Sequence, residues 1–92
     1  MINEQYQQII DEAYNDYKAD IEKSLDENSE SPQEAEFFKS GLVLSKQDFI
    51  DEVTTDVDFA KRRGVTVYTE VDNDEVWMGI VYNNKASKVQ IR

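Results

Sequence analysis

The side chains able to do chemistry in this 92-residue chain are carboxylates, 20 of them. Asp48, Asp51 and Glu52 fall within about one helical turn, and Asp56 and Asp58 follow closely. A carboxyl pair works as general acid and base only where burial beside a substrate pocket pushes the two pKa values apart. Here the acids alternate with apolar residues on helical faces, where solvent keeps them alike. Asp72-Asn73-Asp74-Glu75 sets four oxygen-bearing side chains in a row. A calcium loop needs ligands at alternating positions over roughly twelve residues, with a central Gly. This stretch has neither that length nor the Gly, and Asx residues between apolar runs are ordinary turn formers. The chain has no His and no Cys. That removes the commonest general base, the thiol nucleophile, the softer metal ligands and any disulfide. No catalytic residue, metal or cofactor is expected, and the chain is not read as an enzyme.

The charge that remains is uneven. Residues 1–60 hold sixteen acids and four bases, a balance of −12; residues 61–92 hold four acids and six bases, a balance of +2. The net −10 steers toward basic partners and argues against nucleic acid as a ligand, which needs a cationic footprint. Lys61-Arg62-Arg63 is one compact basic cluster, but at a helix C-terminus such cations ordinarily compensate the dipole. A contact with acids of another subunit is its alternative use. The apolar runs are too short to span a membrane, and the first residues lack the basic start and apolar stretch of a signal peptide. A soluble, cytoplasmic protein is expected.

The elements that must position these groups follow from periodicity. Ile2, Tyr6, Ile9, Ile10, Ala13, Tyr17, Ile21 and Leu25 recur in steps of three and four, which predicts a helix from near Ile2 to about Asp26. Ser31-Pro32-Gln33-Glu34 has the order of N-cap, first-turn Pro and capping-box Glu. It opens a short helix carrying Phe37 and Phe38 and expected to stop at Gly41. Ser45 caps a third helix, with Leu44 and Phe49 spaced as a hydrophobic staple. That helix turns Phe49, Ile50, Val53, Val57 and Ala60 inward, with a break near Thr54-Thr55 where Asp56 could cap anew, and it ends at Gly64. After Gly64 the period becomes two: Val65 to Val71, then Val76 to Tyr82, then Lys88 to Arg92, joined at Asp72–Glu75 and Asn83–Lys85. The expected fold is one α+β domain over residues 1–92. Its acidic, mainly helical residues 1–63 form about three helices, packed on a three-stranded antiparallel meander at 64–92.

Two surfaces then compete for function. If helices cover the Val65, Val67, Val71, Met78 and Ile80 side of the sheet, Tyr68, Trp77 and Val81 form an aromatic patch on the other. Either that patch is a subunit interface or it folds over the core edge. The other surface is acidic. Glu12, Asp16 and Asp20 stand four residues apart, about 6 Å of helix rise per step, with Lys18 and Lys23 offsetting them through Glu22 and Glu27. Asp26, Glu27, Glu30, Glu34 and Glu36 extend the line, and Asp48, Asp51 and Glu52 add to it. Each strand of duplex DNA carries a phosphate about every 3.4 Å, and carboxylates along a rod imitate that field.

In this acidic set, in its small size, and in having no Cys, His or visible active site, the chain resembles the small acidic DNA-mimic inhibitors of bacteriophages, the Arn-like anti-restriction proteins. The resemblance implies an inhibitor occupying the DNA-binding site of a restriction nuclease or another basic DNA-binding protein, in the cytoplasm of a bacterial host. A two-fold homodimer would lengthen its short charge track. The mildly basic residues 61–92 depart from a uniformly acidic mimic. The alternative is an acidic adaptor that binds a basic surface not devoted to DNA, on a host protein or a CRISPR effector.

Overall fold

The computed structural model describes residues 4–92, so Ile2 of the expected stripe lies outside the described residues. The elements run α1 (Glu4–Asn28), α2 (Pro32–Leu42), α3 (Lys46–Thr55), α4 (Val57–Arg62), β1 (Thr66–Asp72), β2 (Glu75–Tyr82) and β3 (Lys85–Gln90). Helices precede an antiparallel sheet of order β1-β2-β3, the α+β arrangement its periodicities predict.

The apolar stripe of α1 buries Tyr6, Ile9, Ile10, Ala13 and Tyr17 against Phe49 and Val53 of α3, Ala60 of α4, Val65 and Ile80. Phe49, only 1% exposed, is the hub. Its ring stacks on Tyr17 at 5.0 Å and meets Tyr14 at 5.5 Å and Phe59 at 6.0 Å. The chain turns at residues 29–31 and α2 doubles back along α1. By Leu44 it has returned to the middle of α1, where the Leu44 N–H donates to the Tyr17 hydroxyl (3.0 Å) and the Tyr14 hydroxyl donates to the Leu44 carbonyl (2.8 Å).

The helix starts obey their caps: the Ser31 and Ser45 hydroxyls accept from the N–H of Glu34 and Asp48, each at 3.2 Å. Two stops do not follow the sequence pattern. Gly41 is not a left-handed cap; α2 runs through it to Leu42 and ends in extended Val43. The grip of Tyr14 and Tyr17 on Leu44 ends this helix in place of a glycine. The break expected near Thr54-Thr55 is present, with Asp56 accepting from the Phe59 N–H at 3.1 Å and opening α4 as a fourth helix. It resets the helical phase, so Val57, expected inward, is 69% exposed. Gly64, at φ +70°, closes α4. There the Val65 N–H reaches the Ala60 carbonyl (2.9 Å) and the Gly64 N–H that of Lys61 (3.0 Å), a Schellman pair.

Both hairpins turn through two residues at positive φ, Asn73-Asp74 and Asn83-Asn84. These are type I′ turns, whose twist matches that of the strands. The second turn closes on the Tyr82–Lys85 pair, so β3 starts three residues before the expected Lys88. The sheet lies along the N-terminal half of α1 and α2 along its C-terminal half. The result is a rod of 56 × 22 × 21 Å. Val71 shares the helix-facing side but lies past the helices, and it is 71% exposed.

Candidate functional site

The expected acidic line divides into two parts. Glu12, Asp16 and Asp20 do share one side of α1, and that side meets the C-terminal third of the chain. The Glu12 carboxylate accepts from Lys85 Nζ at 2.6 Å and Asn83 Nδ2 at 2.7 Å. Asp16 accepts from the Tyr82 hydroxyl at 2.6 Å, and Asp20 from Arg63 Nη2 at 2.8 Å. The hydrogen bonds from Lys85 and Asn83 hold the Glu12 carboxyl below its ordinary range. Tyr82 is pushed up to about 12, first by burial and then by its bond to Asp16. The Arg63 guanidinium also lies over the Tyr17 ring at 5.3 Å. Asp11 pairs with Lys46. These are intramolecular ties between α1 and the elements packed on it, and they engage Arg63 and Lys85 among the bases after residue 60. Arg63, Tyr82, Asn83 and Lys85 were not singled out as partners of α1. The one sequence signal for them was the +2 balance of residues 61–92 beside the −12 of the rest.

The α1–α2 arm is different. Lys39 sits 3.0 Å from Asp26 and 3.6 Å from Glu36, and the bond to Asp26 leads the rise in its pKa. The carboxylates of Glu22, Glu27, Glu30 and Glu34 have no ion pair or hydrogen bond among the described residues. Lys18 and Lys23, expected to offset Glu22 and Glu27, form no ion pair there either. Residues 22–39 hold six acids and two bases, a balance of −4. On α3, Asp51 accepts from Gln47 Nε2 at 3.1 Å, while the Asp48 and Glu52 carboxylates have no such partner among the described residues. Phe37 stands 73% exposed on the arm, its ring edge-on to Phe38 at 5.8 Å.

The third surface is the sheet face turned away from the helices. Tyr68 pairs with Gly79 and lies over it; a Cβ at Gly79 would overlap the Tyr68 ring. Tyr68 remains 40% exposed, and Trp77 and Val81 beside it are half-buried. Lys88 Nζ sits 5.0 Å from the Trp77 ring centre and 2.9 Å from Glu70. Gly79 was passed over in the sequence, although a lone Gly inside an apolar strand often marks close approach.

Among the described residues, no cluster of three or more acids is placed to hold a metal ion, and no helix is long and apolar enough to cross a membrane. An open depression beside β3 is lined by Gln5, Gln8, Ile9, Glu12, Lys85 and Ala86. Its two charged groups neutralise each other, so it offers no poised acid or base. No protein-family model, curated protein or solved structure matches the chain.

Proposed function

We propose that this protein is a DNA-mimic inhibitor acting in the cytoplasm of a bacterial host, not an enzyme. Its acidic arm enters the DNA-binding site of a restriction nuclease or similar basic protein. The observation that carries the reading is the division of charge. Arg63 and Lys85 of the C-terminal third are held on Asp20 and Glu12, while Glu22, Glu27, Glu30, Glu34, Asp48 and Glu52 are left without ion pairs among the described residues. The rod form supports it, because 22 × 21 Å is close to the cross-section of a duplex. The imitation is local. Duplex DNA carries a charge per about 1.7 Å of axis, on the order of thirty over 56 Å, against a net −10 here. The protein therefore competes for one segment of a DNA channel, and its binding weakens with salt less steeply than that of DNA.

The test is capture of a target from bacterial lysate followed by competition with duplex DNA. A mimic and the duplex exclude each other; a ternary complex would end the proposal. Exposed Phe37 favours a second reading, an acidic adaptor on a basic surface not devoted to DNA, because a phosphate channel has no use for an aromatic ring. On that reading Phe37→Ser weakens binding and duplex DNA does not compete.

A further inference from the structure

We infer that the free edge of β1 pairs with the same edge of a second copy, antiparallel about a two-fold axis at Thr69, so that the sheet continues across the two chains. The reason lies in the main chain. Asp72 and Glu75 close a two-residue type I′ turn as a hydrogen-bonded pair, so Thr66, Tyr68 and Glu70 are bonded to β2 as well. The N–H and C=O groups of Val67, Thr69 and Val71 then point outward. No strand, loop or side chain bonds them among the described residues. β1 is exposed along nearly its whole length. The other edge, β3, has α1 packed along it and carries Lys85 and Lys88, the usual protection of a strand edge. β1 has no lysine, and of the helices α4 lies against it.

A second copy is selected because the edge complements itself when turned about Thr69. Val67 then lies opposite the partner's Val71 and Thr69 opposite the partner's Thr69, each pair exchanging two main-chain hydrogen bonds. Beside Val67 is a groove of about 150 Å³, lined also by Val53, Val57, Ala60, Lys61 and Val65. The exposed Val71 stands on the same helix-facing side and is the knob that fills the partner's groove, covering the exposed Val57 there. The two-fold makes this contact twice. Charge agrees with it. The register sets Asp72 opposite the partner's Thr66, and so brings the tip acids Asp72, Asp74 and Glu75 to the end of the partner's α4. Lys61 and Arg62 stand there, with no ion pair among the described residues. Asp56 and Asp58 are at the other end of that helix. Glu70 falls opposite the partner's Tyr68 and keeps its own Lys88 at 2.9 Å. An edge contact is small, so the dimer is reversible. This inference does not depend on the acidic arm being a binding site.

Sedimentation equilibrium and amide exchange of the full chain, over a wide concentration range, test it. The average mass should climb from 10.7 kDa toward twice that value and no further, because two-fold pairing consumes both β1 edges. The amides of Val67, Thr69 and Val71 should gain protection as the mass rises, while that of Ala86, on the outer edge of β3, should not. Thr69→Pro removes the outward N–H at the axis, a change that an edge strand tolerates, and should abolish the rise. Val71→Lys takes an unpaired charge to the partner's groove and should weaken association at least about tenfold. Far-UV circular dichroism confirms that each variant is folded, and Val71→Lys, at an exposed side chain, decides the matter if Thr69→Pro is not. Phe37→Ser, on the arm, should leave association unchanged. A monomer at every concentration, including one whose β1 edge is bound by a different protein, overturns the inference. So does a mass that climbs past the dimer, a rise without added protection at Val67, Thr69 and Val71, or association that survives Val71→Lys.

Discussion

Between Glu12 and Asp20, α1 sends three carboxylates to Lys85, Tyr82 and Arg63. From Glu22 to Glu34, the same helix and its returning neighbour present carboxylates with no such partner among the described residues, Asp26 and its Lys39 apart. Both stretches read as the polar side of an amphipathic helix. The difference is what lies beside them. The first has Lys85 at the start of β3 and Arg63 at the end of α4 packed against it; the second has only α2, itself acidic. An acidic helix is therefore part fastening and part free field, and sequence spacing alone does not say where one becomes the other.

That contrast breaks most sharply on stability. Phe49→Ala removes the hub between α1, α3 and α4 and should cost about 3–5 kcal/mol in urea unfolding. Phe37→Ala, on the arm, should stay within about 0.5 kcal/mol of the parent. Equal losses would make the arm part of the core.

A smaller effect separates the two sets of charges. Arg63→Ala loses the bond to Asp20 and the stem packed over Tyr17, and should cost roughly 1 kcal/mol. Joint replacement of Glu27, Glu30 and Glu34 by Gln should leave unfolding unchanged, or raise stability by a few tenths of a kcal/mol as repulsion is relieved. A loss from the triple replacement would show that the arm carboxylates have structural partners after all.

A further contrast lies in pH dependence. Tyr82 is raised from its ordinary 10 to about 12, so folding favours its protonated form. Its contribution to stability is complete below pH 10 and is lost as pH climbs through about 12. Burial raises Tyr6 as well, so ultraviolet titration should show more than one late tyrosine, and the latest should disappear in Tyr82→Phe. Glu12 is lowered, so its contribution is present above the ordinary carboxylate range and fades as pH falls through its depressed value. Glu12→Gln should remove that acid-side loss, while Glu30→Gln should not.

Much of the fold was legible because local signals agreed. The stripe of α1, the Ser31 and Ser45 caps and the change of period after Gly64 each fix a conformation within a few residues. Two of the failures are tertiary and one is local. The stop at Gly41 yielded to hydrogen bonds between Leu44 and two tyrosines some thirty residues back. The inward Val57 yielded to the phase reset at Asp56. The acidic track was legible as charge, but its partition was not. Glu12 and Lys85 are 73 residues apart, and only the packed sheet brings them together. Tyr68, Trp77 and Val81 were legible as a face from parity alone, whereas the role of Gly79 required the register.

On the proposed function the arm, not the α1 carboxylates tied to Arg63, Tyr82 and Lys85, binds the target. The direct measurement is displacement of a labelled duplex from the captured DNA-binding protein, comparing three variants at fixed salt. Replacing Glu27, Glu30 and Glu34 together by Gln should weaken displacement by about tenfold, the sum of three surface charges at about 0.5 kcal/mol each. Neutralising Asp72, Asp74 and Glu75 at the hairpin tip should change it by less than about twofold, as should Glu12→Gln. If the hairpin tip matters as much as the arm, or the arm does not matter, the protein is not a DNA mimic acting through its arm.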